Sequence, residues 1–487
     1  MIDPPRPAAE LRQVLIIGGG VSGLAAAYEL RDSGLECTLL EASGRLGGVI
    51  STENVEGCLV EGGPDSFIAQ KPWALELIRE LGLGDEVIGS NDSLRRTYIL
   101  RDGRLIALPD GIQFLAPTKI LPLLETSLLS PRTKLTMALE WFRRPSPAQD
   151  DRSVAEFVKD HYGDEANEYL AQPMLAGVYG GSPEQLSVDS VLPRFVELER
   201  KYGSLSRALF LARWKQRRPS GAASPLFLTL RGGMQTLIDA LEQAIRGRVR
   251  VALGAQAQVV RRAEGRFEVE VANADPLRAD RVIIATPAWR AAELLQGQDP
   301  SLAEQLGAIA YGSCVTGALV YRRPEFTHPL DGFGFLVPRA ENRTLSACTW
   351  VNTKFNDRTP ADKPLLRAFI AGDKADAHLA ATDAELAGRV GGELQQIMGF
   401  AAQPVASSFS RWRRSMAQYQ VGHARVVGRI EELLRQRPGL YLSGNGYDGI
   451  GVPDCIRRSR AAARDILQQT AGPATVTSPP ASAPRPQ

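Results

Sequence analysis

A turn of three glycines between a strand and a helix is the feature that most constrains the fold. Four β-favouring apolar residues at 14–17 lead directly into Gly18-x-Gly20-x-x-Gly23, and an apolar run follows at 24–30. The glycines permit a tight turn and let the backbone approach a pyrophosphate, which then lies at the positive N-terminus of the helix. This arrangement predicts a dinucleotide-binding site at the start of the chain.

The segment after this helix ends in an acid at a suitable distance. A second predicted strand, 36–40, leads to Glu41. An acid about 20 residues past the glycines suits hydrogen bonds to a ribose hydroxyl and would repel a 2′-phosphate. Ala42, Arg45 and Gly48 follow, and they predict a second backbone turn with a cation near the diphosphate.

The composition excludes several classes of protein. The chain has 487 residues, 44% hydrophobic and 23% charged, with a net charge of +2, which is ordinary for a globular protein and does not suggest nucleic-acid binding. Five dispersed cysteines predict reduced thiols in a cytoplasmic protein. The four histidines lie far apart without metal-ligand spacing, so we expect no metal. No acid–base pair stands out, and we expect no catalytic side chain.

The chain contains neither an N-terminal signal-peptide pattern nor an apolar run of transmembrane length. The segment 112–142 is nevertheless rich in leucine and phenylalanine and is broken by prolines. Two alternatives stay open for it. It contacts a membrane surface or a partner, or it lines a substrate entrance and packs internally.

The order of helical and strand-like patterns predicts an α/β protein with a discontinuous nucleotide domain. Ser153 with Glu156 forms a capping-box start for a helical stretch, 153–214, and alternating strands follow from 226. The predicted parts are a nucleotide domain (13–90, 225–298 and 425–468), a mainly helical insert (91–224), a β-rich substrate domain (299–424) and disordered tails (1–12 and 470–487).

Several strings resemble a known family. The 41–48 segment resembles the second dinucleotide motif of the amine-oxidase/phytoene-desaturase flavoproteins, which narrows the expected nucleotide to FAD in a Rossmann-like domain. From about residue 13 to 468 the chain is similar to the porphyrinogen oxidases of haem synthesis. The strings that carry this resemblance are Glu61–Phe67, Gly177–Gly181, Gln185–Ser187, Leu230–Met234 and Gly444–Cys455.

The resemblance implies oxidation of a porphyrinogen, four pyrroles joined by CH₂ bridges, to a porphyrin. In this family six electrons leave through one non-covalent FAD, and O₂ re-oxidises the flavin to give hydrogen peroxide. Segments 116–120, 347–352 and 411–423 resemble the Gram-positive-type branch, which acts on coproporphyrinogen III. The other branch acts on protoporphyrinogen IX and usually carries an arginine before an aromatic residue, where this chain has Thr97 and Tyr98. Protoporphyrinogen oxidation is therefore the alternative, and an amine oxidase or a carotenoid desaturase is a more distant one. A ferrochelatase is an expected recipient of the product.

The resemblance also implies positions that bind FAD. They are Gly18, Gly20, Val21, Ser22 and Gly23 at the pyrophosphate; Glu41, Ala42, Arg45 and Gly48 on the ribose side; Gly63, Pro64, Asp65 and Ser66 by backbone at the flavin; Ala257 at the adenine; and Trp412, Ile450, Gly451 and Val452 near the isoalloxazine.

The expected substrate site is an apolar slot with cations at its rim. Walls are predicted from Phe335, Leu336 and Phe369, with Gly177 across from the ring. Propionates need cations or N–H donors. The candidates for this role are Lys71, Arg96 and Lys354, together with the slot at Thr97.

Overall fold

The computed structural model describes residues 12–113, 116–145, 150–215 and 225–470. Of the two tails predicted to be disordered, only Arg12 and Thr470 fall within these ranges. Thr470 is the last residue of the C-terminal helix.

The strands, in chain order, are β1 (Gln13–Ile17), β2 (Glu36–Glu41), β3 (Thr52–Val55), β4 (Cys58–Glu61), β5 (Phe67–Ile68), β6 (Val87–Gly89), β7 (Thr97–Arg101), β8 (Arg104–Ala107), β9 (Ile112–Gln113), β10 (Ala116–Pro117), β11 (Phe227–Leu230), β12 (Arg250–Leu253), β13 (Ala257–Ala263), β14 (Arg266–Val271), β15 (Leu277–Ala279), β16 (Arg281–Ile284), β17 (Ala310–Val320), β18 (Gly334–Leu336), β19 (Ala347–Trp350), β20 (Leu365–Ala371), β21 (Ala406–Gln418) and β22 (Leu440–Leu442).

The α-helices are α1 (Val21–Leu30), α2 (Trp73–Glu80), α3 (Ile120–Glu125), α4 (Pro131–Leu139), α5 (Val154–Tyr162), α6 (Asp164–Ala166), α7 (Gln172–Tyr179), α8 (Val188–Val191), α9 (Pro193–Tyr202), α10 (Leu205–Lys215), α11 (Gln235–Ile245), α12 (Ala288–Leu295), α13 (Pro300–Gly307), α14 (Val351–Lys354), α15 (Asp373–Asp376), α16 (Asp383–Met398), α17 (His423–Arg435) and α18 (Val452–Thr470).

A parallel sheet in the order β12-β2-β1-β16-β22 forms the nucleotide domain. Its strands come from three separate parts of the chain, which confirms the predicted α/β class with a discontinuous Rossmann-like domain. The strand order reverses between β1 and β16, and ligands of such sheets bind outside the carboxyl ends of the strands at that point. The glycine turn after β1 lies there.

The residues of β1 explain why both faces of this sheet are covered. Val14 and Ile16 pack on one side with α1, α11 and α18, whereas Leu15 and Ile17 pack on the other side with α12 and α13. A central parallel strand is apolar on both faces for this reason. The run before the glycines is continuously apolar because β1 is buried between two layers of helices.

A second sheet carries the β-rich part of the chain. Its order is β21-β17-β20-β19-β18-β7-β8, and α16 packs against one face. The hairpin β7–β8 joins this sheet, although its residues fall in the segment predicted as the mainly helical insert. Thr97, the first residue of β7, pairs with Gly334 of β18 across a parallel ladder. This long-range pairing could not be read from the local pattern of 91–108.

The helices α3 to α10 form the insert. Its α5 begins with the predicted capping box, in which Ser153 accepts from the backbone N–H of Glu156 and the Glu156 carboxylate accepts from the N–H of Ser153. Within the residues that the structure describes, we find no helix long and apolar enough to cross a bilayer.

Candidate cofactor and substrate site

The turn between β1 and α1 exposes backbone atoms, because glycines occupy positions 18, 19 and 20. A Cβ on Gly23 would lie 1.8 Å from the carbonyl oxygen of Gly18, so position 23 requires glycine. A Cβ on Gly20 would meet only the Cα of Gly48, at 4.0 Å. Gly20 is the N-cap residue of α1 and supplies no side-chain cap, and the first turn of α1 carries no acid. The first N–H groups of α1 are therefore available to an anion, and this geometry fits the pyrophosphate of a dinucleotide.

Val21 and Ser22 form the first turn of α1. Ser22 is buried and interacts with the thiol of Cys455 in α18. Its side chain therefore belongs to the α1–α18 interface, and any contact of Ser22 with the pyrophosphate uses its backbone.

The acid at the end of β2 holds the glycine turn. Glu41 accepts hydrogen bonds from the backbone N–H of Gly19 at 2.7 Å and of Ser43 at 2.8 Å. These bonds leave lone pairs on both carboxylate oxygens. The contact predicted between Glu41 and a ribose stays a prediction.

The second turn is bonded to the first. The N–H of Gly47 donates to the carbonyl of Gly19 at 2.8 Å. The guanidinium of Arg45 donates to three backbone carbonyls of its own loop, among them that of Gly48 at 2.5 Å. Arg45 therefore holds the shape of this loop, and the neighbouring Ala42 is exposed.

The segment after β4 is anchored through one carbonyl. Gly62 accepts from Trp412 Nε1 at 2.7 Å and from the hydroxyl of Thr316 at 2.6 Å. A Cβ on Gly63 would lie 1.9 Å from the carbonyl oxygen of Val49, so only glycine fits this close approach. The indole predicted near the isoalloxazine is thus bonded to the loop predicted to meet it.

Pro64, Asp65 and Ser66 continue this loop and are half-buried. The carboxylate of Asp65 accepts from Lys354 Nζ at 2.8 Å and lies 3.5 Å from Arg367. Burial alone would raise the pKa of Asp65, but the charges of Lys354 and Arg367 hold it well below its ordinary value. Asp65 is therefore an anion at neutral pH.

The turn that leads into α18 is held from two sides. The N–H of Gly449 donates to the hydroxyl of Tyr419 at 2.8 Å, and that of Gly451 donates to Asp454 at 3.2 Å. Residues 450–452 are half-buried. The bond from Gly451 to an acid at the third position of the helix closes one half of a capping box.

Ala257 begins β13 with a buried side chain. Its carbonyl accepts from a guanidinium nitrogen of Arg290 at 2.8 Å. The adenine contact predicted for the backbone of Ala257 stays a prediction. The guanidinium of Arg290 lies beside this backbone.

The three cations predicted to bind propionates already have carboxylate partners. Lys71 Nζ lies 2.6 Å from Asp454, and Arg96 lies 3.0 Å from Asp331. Lys354 is the third, paired as described above. Each of these three charges therefore has a partner within the chain, and the contact predicted between them and propionates stays a prediction.

The residues predicted to form the apolar walls of the substrate slot do not all lie together. Gly177 and Leu336 face each other, because a Cβ on Gly177 would lie 3.9 Å from a methyl of Leu336. Phe335, by contrast, is 1% exposed within the core of the β-rich sheet. Leu336, the next residue on β18, points to the opposite face of the sheet because side chains alternate along a strand. Phe335 therefore lines no open slot, and Phe369 is half-buried with Arg367 4.7 Å above its ring.

Sequence reasoning missed a buried ionic network behind this loop. Glu61 and Arg358 pair at 2.9 Å, and both side chains are almost fully buried. Arg367 donates to the backbone carbonyls of Glu61 and Gly63. The lone arginine within the apolar strand 365–371 was the available signal, because a buried arginine needs partners. Burial raises the pKa of Glu61 in spite of the charge of Arg358.

Two further observations limit the chemistry. Among the described residues, no group of three or more potential ligands could hold a metal ion. Each of the five cysteines is a buried free thiol. Burial raises the pKa of Cys455, the cysteine nearest the turn into α18, to about 12.

The reversed parallel sheet, the uncapped glycine turn and the acid at the end of β2 are the features of a dinucleotide-binding fold. The sequence model of the protein family of flavin-containing amine oxidoreductases matches residues 21–467 of the chain. Coproporphyrinogen III oxidase of Bacillus subtilis (strain 168) is 34% identical over 94% of this chain and 98% of its own length. Protoporphyrinogen oxidase 2 of Arabidopsis thaliana is 27% identical over 94% of each chain. The crystal structure of a protein described as a protoporphyrinogen oxidase from Exiguobacterium has a TM-score of 0.83 at 32% identity, over 94% of this chain and 99% of that one.

The chain belongs to the flavin-containing amine oxidoreductases and, within them, to the porphyrinogen oxidases. It is an oxidase that uses a flavin.

Proposed function

We propose that this protein binds FAD without a covalent bond and oxidises coproporphyrinogen III to coproporphyrin III, with O₂ as the acceptor and hydrogen peroxide as the by-product. The observation that carries the proposal is the full-length similarity to coproporphyrinogen III oxidases, at 34% identity for the Bacillus enzyme. Protoporphyrinogen IX is the alternative substrate, favoured by the similarity to the Arabidopsis enzyme.

The site geometry supports FAD as the flavin. The bare turn at Gly20 and the free N–H groups of α1 suit a pyrophosphate. When bound, the flavin supplies hydride acceptance and reaction with O₂. The raised pKa of Cys455 keeps its thiol protonated, which supports non-covalent binding because the thiolate is the reactive form.

The protein's own contribution is placement. Trp412 and Thr316 fix the carbonyl of Gly62, and this anchors the loop beside the expected flavin. Gly177 places no side chain beside Leu336, at the wall of the proposed slot. Holding two reactants in a productive geometry supplies much of the rate enhancement in such a reaction. No side chain needs to exchange a proton for this role.

Replacing Thr97 tests the substrate. Protoporphyrinogen-type enzymes usually carry an arginine at this position, so Thr97→Arg is expected to lower the ratio of coproporphyrinogen to protoporphyrinogen turnover. The wild-type protein should favour coproporphyrinogen. The measurement is the initial rate of porphyrin fluorescence under air with each porphyrinogen.

Ala384→Arg is the matched control, since it adds the same charge on the exposed face of α16. It should leave the ratio unchanged. A wild-type protein that oxidises protoporphyrinogen equally well or faster would reverse the assignment of substrate. Flavin that stays with the precipitated chain after acid denaturation would contradict non-covalent binding, and oxidation of an amine or a carotenoid precursor alone would favour the distant alternatives.

The segment 112–142 supports peripheral contact with a membrane surface. Leu135, Leu139 and Phe142 lie at helical spacing on α4 and the turn after it, and they are 60%, 60% and 74% exposed. Lys134 donates to the backbone carbonyl of Leu124, whose side chain is also exposed. Exposed leucine and phenylalanine side chains close to a lysine suit contact with a lipid interface. A cytoplasmic location and transfer of the product to a ferrochelatase also stay predictions.

Sedimentation with vesicles tests this contact. The protein is expected to pellet with vesicles that contain phosphatidylglycerol, and the double variant Leu135→Glu/Leu139→Glu should lose most of this binding. Leu253→Glu, at an exposed position on β12, should not. Equal sedimentation of all three proteins, or none with any vesicle, would exclude these side chains as a lipid contact.

A further inference from the structure

Two lysine–aspartate pairs flank the place where the flavin is expected. The first joins Lys71, in the loop after β5, to Asp454 in the first turn of α18. The second joins Lys354, at the end of α14, to Asp65 in the loop after β4. The two regions adjoin each other, because α18 packs against β5, the strand that follows the Asp65 loop.

The first pair is attached to the turn that leads into α18. The same carboxylate oxygen of Asp454 accepts from Lys71 Nζ at 2.6 Å and from the N–H of Gly451 at 3.2 Å. Asp454 is buried, whereas Lys71 reaches it from a half-exposed position. The negative charge of Asp454 also helps burial to raise the pKa of Tyr179 to about 12, so this charge acts on the space beside α7.

The second pair is more deeply enclosed. The side chains of Lys354 and Asp65 are 12% and 18% exposed, and Arg367 lies 3.5 Å from the same carboxylate. Lys354 also lies over the rings of Phe227 and Phe355. These contacts fix the ammonium group beside the loop, where it cannot reach a substrate without abandoning Asp65.

The charges near this loop do not cancel. Two carboxylates, Asp65 and Glu61, face three cations, Lys354, Arg358 and Arg367. One positive charge therefore remains beside the expected flavin. A cation in a partly buried site stabilises a group that becomes more negative on reduction, and charge near a flavin ring tunes its electron affinity.

We propose that Lys71 and Lys354 set the reduction potential of the bound flavin by balancing Asp454 and Asp65, and that they are not ligands of substrate propionates. Each lysine acts through the charge of the aspartate that it pairs with, and neither contacts the substrate. This inference rests on the proposed binding of FAD.

The midpoint potential of the bound flavin, measured by reductive titration with a reference dye, tests the inference. Lys354→Met and Lys71→Met are each expected to shift it to more negative values, the former further because its charge is less exposed to solvent. Asp454→Asn should shift it the opposite way. The double variant Lys71→Met/Asp454→Asn should return close to the wild-type potential, which a merely structural defect would not do.

Lys159→Met is the matched control, since Lys159 pairs with Asp164 on the exposed surface of the helical insert. Its flavin should keep the wild-type potential. A rise in KM for the porphyrinogen in Lys71→Met and Lys354→Met at an unchanged potential would overturn the inference and restore the propionate role. Lys354→Met alone decides the question if Lys71→Met does not retain flavin. A wild-type protein that binds no FAD would instead overturn the proposed function.

Discussion

Gly20→Val is expected to give a folded protein that binds the proposed FAD about 100-fold more weakly or worse. The backbone of Gly20 has φ −71° and ψ 179°, which any residue adopts, and a Cβ there would meet only Gly48. The fold therefore accepts the side chain, but its methyl groups occupy the space in front of the N-terminus of α1. Loss of two hydrogen bonds to the pyrophosphate, at about 1.5 kcal/mol each, weakens binding by about 100-fold or more. The measurement is the dissociation constant of FAD for the apoprotein, together with the thermal unfolding of both apoproteins.

Two other glycines make this prediction specific. Gly23→Val is expected to disrupt the fold itself, because a Cβ there would lie 1.8 Å from a backbone carbonyl. Gly297→Val is the control, since this exposed position has nothing within 4 Å in the described chain, and it should bind FAD normally. Wild-type affinity in Gly20→Val would mean that the pyrophosphate does not lie at this helix.

Arg358→Met is expected to lower the free energy of unfolding by about 3 to 5 kcal/mol at neutral pH, because it leaves the buried carboxylate of Glu61 without its cation. Hydrogen bonds to Glu61 from Thr52 and from the N–H of Met234 remain, but they do not neutralise the charge. The measurement is urea denaturation of the apoprotein.

The pH dependence of this loss has a defined sign. Burial already raises the pKa of Glu61, and removing Arg358 raises it further. A carboxyl whose pKa is higher in the folded state loses stability as the pH rises above its unfolded value. The deficit of Arg358→Met should therefore shrink as the pH falls toward 4.5 and grow toward neutrality. Arg248→Met, which breaks the exposed pair with Asp32, should cost at most about 1 kcal/mol. An equally small, pH-independent loss in Arg358→Met would show that the buried network does not support the fold.

Local patterns predicted the elements around the cofactor well. The strand β1, the turn at Gly18 and the helix α1 follow each other within a few residues, so hydrophobic periodicity and glycine placement suffice to define them. The second predicted strand, 36–40, agrees with β2 to within one residue for the same reason. The boundary of the helical insert failed at β7, because its membership in the second sheet depends on pairing with β18, more than 200 residues away.

The sequence by itself determined the first strand, turn and helix of the nucleotide domain and the family, because each depends on residues close together in the chain or on strings that are recognised whole. Only the tertiary structure decided what the charged residues do. Lys71 meets its carboxylate 383 positions away, Lys354 meets its own 289 positions away, and Arg96 meets its own 235 positions away. A side chain's charge is visible in a sequence, but its partner is set by packing between distant elements, and that partner decides whether the charge is free to bind a substrate.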